Sequence, residues 1–250
     1  MSRLRNLPDG IRLMHTIIHF NFYSKGIEKA RAEGDAVKER EEIASSTLTW
    51  AKDVAKKFRM DIRVTGRENI PDKDGFVFIS NHQGYADIIA MFIAAEGRQI
   101  GFIAKNTLEK VPYFGKWIRM IRGLYIQRGS AKEALKSISD GASLVKNGYN
   151  LVIFPEGTRS RGPEMGPFKP GSFKLATKAK APIVPVTING SYHVFEEKGY
   201  VQPSVISVTI HPPVETRNLS RRDLSGVEAA VEETIRSALK QEQENEHGQK

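Results

Sequence analysis

The sequence contains no cysteine. That excludes disulfides, thiolate zinc sites and cysteine nucleophiles together, and makes a reducing compartment the default expectation. No run of 18 or more apolar residues occurs, so a conventional membrane-spanning helix is not expected. The amino terminus, MSRLRNLPDGIRLMHTIIHFNFYSKG, starts basic, but His15, Thr16, His19 and Asn21 interrupt its apolar stretch. It lacks the continuous apolar region and small-residue cleavage site of a signal peptide. The patterns G-x-S-x-G, H-E-x-x-H, the P-loop and G-x-G-x-x-G are also missing, which removes support from serine hydrolases, zinc proteases and nucleotide-dependent enzymes. His15 and His19 stand four apart, as metal ligands on a helix do, but no third ligand neighbours them and no metal site is expected.

What is present is an ordinary globular composition, 40% hydrophobic and 27% charged, in 250 residues. The formal net charge of +9 favours an anionic partner: nucleic acid, an acidic membrane surface or a phosphorylated substrate. Composition alone does not choose among them.

Residues 10–60 read as helical. Ile11, Met14, Ile17 and Ile18 recur at spacings of three and four, Leu13, Phe20, Phe22 and Tyr23 widen the apolar face, and Gly34 marks a break. From residue 61 the pattern becomes short apolar runs separated by helical segments. DIRVTG, GFVFISN, IGFIAK, GLYIQR, NLVIFP, IVPVTI and VISVTI are seven strand candidates. Between GLYIQR and NLVIFP lies a clear helix, with Ser130 and Glu133 at capping-box spacing and Gly148 where a left-handed C-terminal residue belongs. Pro185 within IVPVTI calls for a sheet edge or a bulge. The expected fold is α/β, a mixed, largely parallel sheet flanked by helices, with a helical N-terminal extension. The expected division is a helical membrane-association segment over 1–60, an α/β domain over 61–240 and a frayed polar tail over 241–250.

Three stretches carry chemistry-bearing residues. In ISNHQGYADIIA, His82 and Asp87 stand five apart, so they meet only if the histidine lies in the loop and the aspartate in the first helical turn. Gly84 supplies a bend. A carboxylate on one ring nitrogen fixes the tautomer and frees the other nitrogen to take a proton; alternatively, Asp87 only caps a helix. In NLVIFPEGTRSRG a buried strand runs into Glu156, Gly157, Thr158 and Arg159, at the strand end where α/β folds bind ligands. Gly157 lets backbone approach a ligand, and Arg159 offers a planar fork for phosphate. The alternative is a surface turn. Residues 105–128 hold six basic residues against Glu109, with aromatics interleaved. That suits a membrane interface or single-stranded nucleic acid, or else an amphipathic helix whose Trp117, Ile118 and Ile121 face the core. Arg128, at a strand end, stands apart from the other basic residues.

NHQGYAD, GLYIQRG, FPEGTRSR and IVPVTI occur in the order and spacing of the four sequence blocks of the glycerophospholipid acyltransferase family. The chain most resembles its bacterial 1-acyl-sn-glycerol-3-phosphate (lysophosphatidic acid) acyltransferases. FKPGSFKLA is also typical of that family. The resemblance implies that His82 is a general base and Asp87 its orienting partner. It implies an acceptor-binding set of Arg128, Glu156 and Arg159 with Gly157 and Thr158 of the same block, and Lys105 as a further phosphate ligand. Asn81 would shape the loop, and the block around Pro185 would lie on the donor or substrate side.

The implied reaction is direct attack of the sn-2 hydroxyl on an acyl thioester, giving phosphatidic acid. It needs no cofactor and no covalent intermediate, with oxyanion donors expected near Gly157 or a helix end. The implied partners are an acyl-acyl carrier protein or acyl-CoA donor, lysophosphatidic acid as acceptor and an anionic membrane surface, with no nucleic acid. The implied location is the cytoplasmic face of the cell membrane, peripheral or re-entrant, with Leu13, Met14, Ile17, Ile18, Phe20 and Phe22 at the interface behind Arg3, Arg5 and Arg12; alternatively, this helix packs on the domain and stays dry. The competing readings are the same chemistry on glycerol 3-phosphate or another lysolipid, and a non-catalytic basic membrane-binding module.

Overall fold

A computed structural model describes residues 7–126, 131–169, 171–217, 219 and 221–248. Three helices open the chain: α1 (Leu7–Tyr23), α2 (Lys25–Ala32) and α3 (Ala36–Lys57). Gly34 adopts φ +73° in the turn before α3, and the Asp35 side chain then caps α3 by accepting the Lys38 N–H at 2.9 Å.

All seven strand candidates form strands: β1 (Met60–Thr65), β2 (Val77–Ser80), β3 (Ile100–Lys105), β4 (Leu124–Ile126), β5 (Asn150–Ile153), β6 (Ile183–Asn189) and β7 (Ser204–Ile210). They build one sheet in the order β1-β7-β6-β2-β5-β3-β4, parallel throughout except between β6 and β7. The helices α4 (Asp87–Ala94), α5 (Phe114–Met120), α6 (Ala131–Lys146), α7 (Lys174–Ala179) and α8 (Arg221–Gly248) complete the fold.

Every residue of β2, β5 and β6 is buried, because helices cover both faces of the sheet. One core joins α1 to α5 with the sheet through Phe20, Trp50, Phe92 and Trp117, whose rings meet edge-on or tilted at 5.1–6.3 Å. The other lies beneath α6, α7 and α8. The N-terminal helices therefore share the core of the α/β domain. Buried Glu39 of α3 strengthens that junction, bonding Arg31, Arg122 and Tyr149 at 2.7–2.8 Å.

Several expectations are modified. The segment 241–250, read as a frayed tail, continues α8 to Gly248, and Glu242 accepts bonds from the Ser207 and Thr209 hydroxyls of β7. Charge without apolar periodicity misled there, because the anchor is polar. Pro185 lies in an internal strand, not at an edge. Its ladder with β7 stops at Val186↔Ile210 and resumes at an Ile183↔Val214 bridge. Two residues thus face three, and Pro185 sits at this bulge, where its missing N–H leaves no ladder bond broken. Trp117, Ile118 and Ile121 face the core, while Lys116 and Arg119 pair with Glu28 and Glu109. Gly148 has φ +82°, as its helix-ending role requires, whereas Ser130 of the expected capping box lies outside the described residues.

Candidate active site

Strands β2 and β5 run parallel with Ile79 opposite Ile153. Counting three residues on from each places Glu156 level with His82, and the two meet. The Glu156 carboxylate accepts the His82 N–H at 2.6 Å through Oε1 and the Gly166 N–H at 2.8 Å through Oε2. The turn after β5 is tied to the same loop by the Ser160 N–H to the His82 carbonyl and the Arg161 N–H to the Gln83 carbonyl. On the far side of β2, the Asn81 side chain exchanges two 2.8 Å bonds with the Ile188 backbone of β6. The loop after β2 is thus fixed from both neighbouring strands.

Within that loop His82 Nδ1 lies 2.6 Å from Asp87 Oδ2, with Asp87 wholly buried in the first turn of α4. The same oxygen accepts the Gly84 N–H at 2.9 Å, and Asp87 Oδ1 accepts the Ser191 hydroxyl. Asp87 therefore does not serve as a simple cap. Its donors stabilise a carboxylate, and the carboxylate holds Nδ1 as the protonated nitrogen, leaving Nε2 with a lone pair. The His82 ring stacks on Phe154, centroids 4.1 Å apart. Gly84 is required less for a bend than for closeness: a Cβ there would stand 2.6 Å from Glu196 Oε2 and 3.2 Å from the Ser191 carbonyl.

Arg159 lies beside this pair. Its Nη1 donates to Glu196 at 2.6 Å, and its guanidinium covers the Tyr85 ring at 3.6 Å. Gly157 has φ +66°, and Lys169 Nζ packs so close that a Cβ on Gly157 would come within 2.6 Å of it. Oxyanion donors are expected near Gly157 or a helix end; the Gly157 N–H itself is bonded to the Phe154 carbonyl. Thr158 is exposed, as is Lys105 at the end of β3, on the same edge of the sheet. Arg128 lies outside the described residues, beyond β4.

Glu156 differs most from its expected part in an acceptor-binding set. It is buried, both its oxygens face backbone donors, and burial raises its carboxyl above the ordinary value against the opposing pull of those donors. Pro185 is likewise buried within the sheet. Phe154 opens the block FPEGTRSR but was given no role there, and Ser191 and Glu196 carried no motif. The only signal for Phe154 was its place between an apolar strand and Pro155; for Ser191 and Glu196 there was none, since the fold alone brings the segment after β6 beside the end of β2.

A family model described as Acyltransferase matches residues 61–189. The 1-acyl-sn-glycerol-3-phosphate acyltransferase of Saccharomyces cerevisiae is 35% identical over 73% of this chain and 61% of its own length. Its namesake in Pseudomonas aeruginosa is 31% identical over 74% of this chain and 72% of its own. The chain spans about half the length of the first curated relatives it matches, from 43% to 61%. The crystal structure of the 1-acyl-sn-glycerophosphate (LPA) acyltransferase from Thermotoga maritima superposes with a TM-score of 0.79 at 26% identity, covering 97% of this chain and 98% of that one.

Proposed function

This chain belongs to the acyltransferase family, and we propose that it moves a fatty acyl chain from an acyl thioester to the sn-2 hydroxyl of 1-acyl-sn-glycerol 3-phosphate, giving phosphatidic acid. The observation that carries the reading is the 2.6 Å contact of His82 Nδ1 with a buried aspartate, beside an arginine with donors to spare.

His82 Nε2 takes the hydroxyl proton as the oxygen attacks the thioester carbonyl. The C–S bond then breaks, and the imidazolium returns the proton to the departing thiolate. Asp87 stabilises that imidazolium and keeps the tautomer. A positioned base contributes ~10²–10⁴-fold. In this reading Arg159, Thr158, Lys105 and Arg128 hold the acceptor's phosphate, and the Gly157 turn lets the acceptor approach the backbone. Glu156 acts beneath the site by holding the His82 backbone rather than by touching substrate.

The acceptor's acyl chain must leave a bilayer. No helix among the described residues is long and apolar enough to cross one. Ile17 and Phe20 of α1 turn into the core, leaving Ile11, Leu13, Met14 and Ile18 exposed beside Arg12. Phe22, Arg3 and Arg5 lie outside the described side chains. An exposed apolar face next to a cation suits peripheral docking on an anionic surface.

The test offers purified protein labelled acyl-acyl carrier protein or acyl-CoA with 1-acylglycerol 3-phosphate, glycerol 3-phosphate and other lysolipids. Turnover of the first acceptor supports the assignment. Turnover confined to another acceptor reassigns the substrate. Salt-sensitive vesicle binding with no turnover of any acceptor leaves a non-catalytic membrane module.

A further inference from the structure

Glu196 belongs to none of the recognised sequence blocks. It follows the 3-10 turn Ser191–Val194, and its side chain is 2% exposed. Its Oε1 accepts two donors from different segments, the Tyr85 N–H at 2.9 Å and Arg159 Nη1 at 2.6 Å. Its Oε2 is buried, packs against Gly84 and has no hydrogen-bond partner among the described residues. One carboxylate thus joins the His82–Asp87 loop, the turn after β5 and the segment after β6.

The consequence falls on Arg159. A guanidinium carries five donors in a rigid plane. Here the Tyr85 ring fixes that plane and Glu196 fixes one edge, while the remaining donors have no protein partner among the described residues. We propose that Glu196 is a positioning residue for acceptor recognition: it clamps Arg159 by one edge over Tyr85, so that the opposite edge meets the acceptor's phosphate. This rests on the reading above in which Arg159 binds that phosphate. Because Glu196 also cancels the arginine's charge, selectivity for a phosphate-bearing acceptor comes from directed hydrogen bonds and not from net attraction. Two accounts therefore predict opposite signs. If bulk charge mattered most, removing the carboxylate would tighten binding; if the clamp matters, removing it weakens binding.

The experiment compares wild type, Glu196→Gln, Tyr85→Leu, Arg159→Ala and the Glu196→Gln/Arg159→Ala double variant. It measures KM and kcat for 1-acylglycerol 3-phosphate and for 1-acylglycerol without phosphate, with thermal melts to confirm folding. Glu196→Gln should raise KM for the phosphate-bearing acceptor ~10-fold with kcat within about twofold, and the double variant should resemble Arg159→Ala alone. Tyr85→Leu, which keeps its backbone donor and alters an exposed ring, should raise the same KM ~3-fold and covers the case in which Glu196→Gln does not fold. An unchanged or lowered KM in the folded variants overturns the proposal. Should wild type not acylate the phosphate-bearing lysolipid, the proposed function fails separately. Glycerol 3-phosphate binding by calorimetry then decides this point: weaker binding in Glu196→Gln than in wild type supports the clamp, and equal binding sinks it.

Discussion

The His82 imidazole lies flat against the Phe154 ring, planes 15° apart and centroids 4.1 Å apart, while its Nδ1 meets Asp87 at 2.6 Å. Phe102 stacks in turn behind Phe154 at 6.2 Å. One contact sets the plane of the imidazole and the other its rotation, so Nε2 has a single direction in which to point. In the proposed reaction, an imidazole so held needs little reorganisation before it takes a proton.

Replacing the pair tests the chemistry directly. His82→Ala should lower kcat ~10²–10⁴-fold while vesicle binding persists. Asp87→Asn should have an effect of similar order, because an amide offers its NH₂ group to donors that need an acceptor. Steady-state kinetics beside a sedimentation assay would check both.

Ser191→Ala removes a buried hydroxyl that donates to the Asp87 carboxylate. A hydrogen bond to a charged group is worth about 1.5–3 kcal/mol. The expected outcome is a loss of that size in chemical denaturation, with kcat lowered because Asp87 is less firmly oriented. Unaltered stability and kcat would show that the hydroxyl is idle.

Glu156→Gln sets an amide NH₂ against either the His82 or the Gly166 N–H. The expected result is a fall in kcat with little change in acceptor KM, since in the proposed mechanism the residue holds the His82 backbone and does not touch substrate. Burial raises the wild-type carboxyl, so as pH falls it takes up a proton, and loses one acceptor, earlier than an ordinary glutamate would. Wild-type activity should therefore show an acid-side fall that the Gln variant lacks. A pH–rate profile of each variant reads this.

Glu39 ties the N-terminal helices to the domain. Burial pushes its carboxyl up, but bonds from Arg122, Tyr149 and Arg31 outweigh that and hold it below the ordinary value. A depressed carboxyl contributes stability fully present above the unfolded value and lost as pH falls through the folded one. Glu39→Gln should therefore cost about 2–3 kcal/mol at neutral pH, less than a fully buried pair because both arginines remain partly exposed. The difference from wild type should shrink below the ordinary glutamate range. Urea titrations at neutral and acid pH would measure it.

On α1, Ile11→Ser combined with Ile18→Ser removes exposed apolar surface without entering the core. Binding to anionic vesicles should weaken several-fold while the melting temperature holds. Equal flotation of variant and wild type would refute docking through this helix.

Alternation of short β-branched runs with helical segments was enough to place all seven strands and to make the sheet largely parallel, because side-chain periodicity is a local property of the chain. The same holds for His82, Asp87, Gly157 and Arg159, which stand at strand ends and loop turns whose positions follow from that pattern. The apolar face of α1 was legible too, but not its division: only packing against Trp50 and Trp117 decided that Phe20 goes in, while Ile11 stays out. The polar tail misled for a related reason, since its anchor is a carboxylate reaching across to β7. Sequence alone determined which residues could supply a base, a carboxylate and a phosphate fork. Tertiary structure decided that Ser191 and Glu196, more than 100 residues from His82, complete their surroundings and that Glu156 turns both oxygens to backbone donors of His82 and Gly166. The register of β6, β2 and β5 sets those contacts, and strand order in a parallel sheet is a choice made between distant segments.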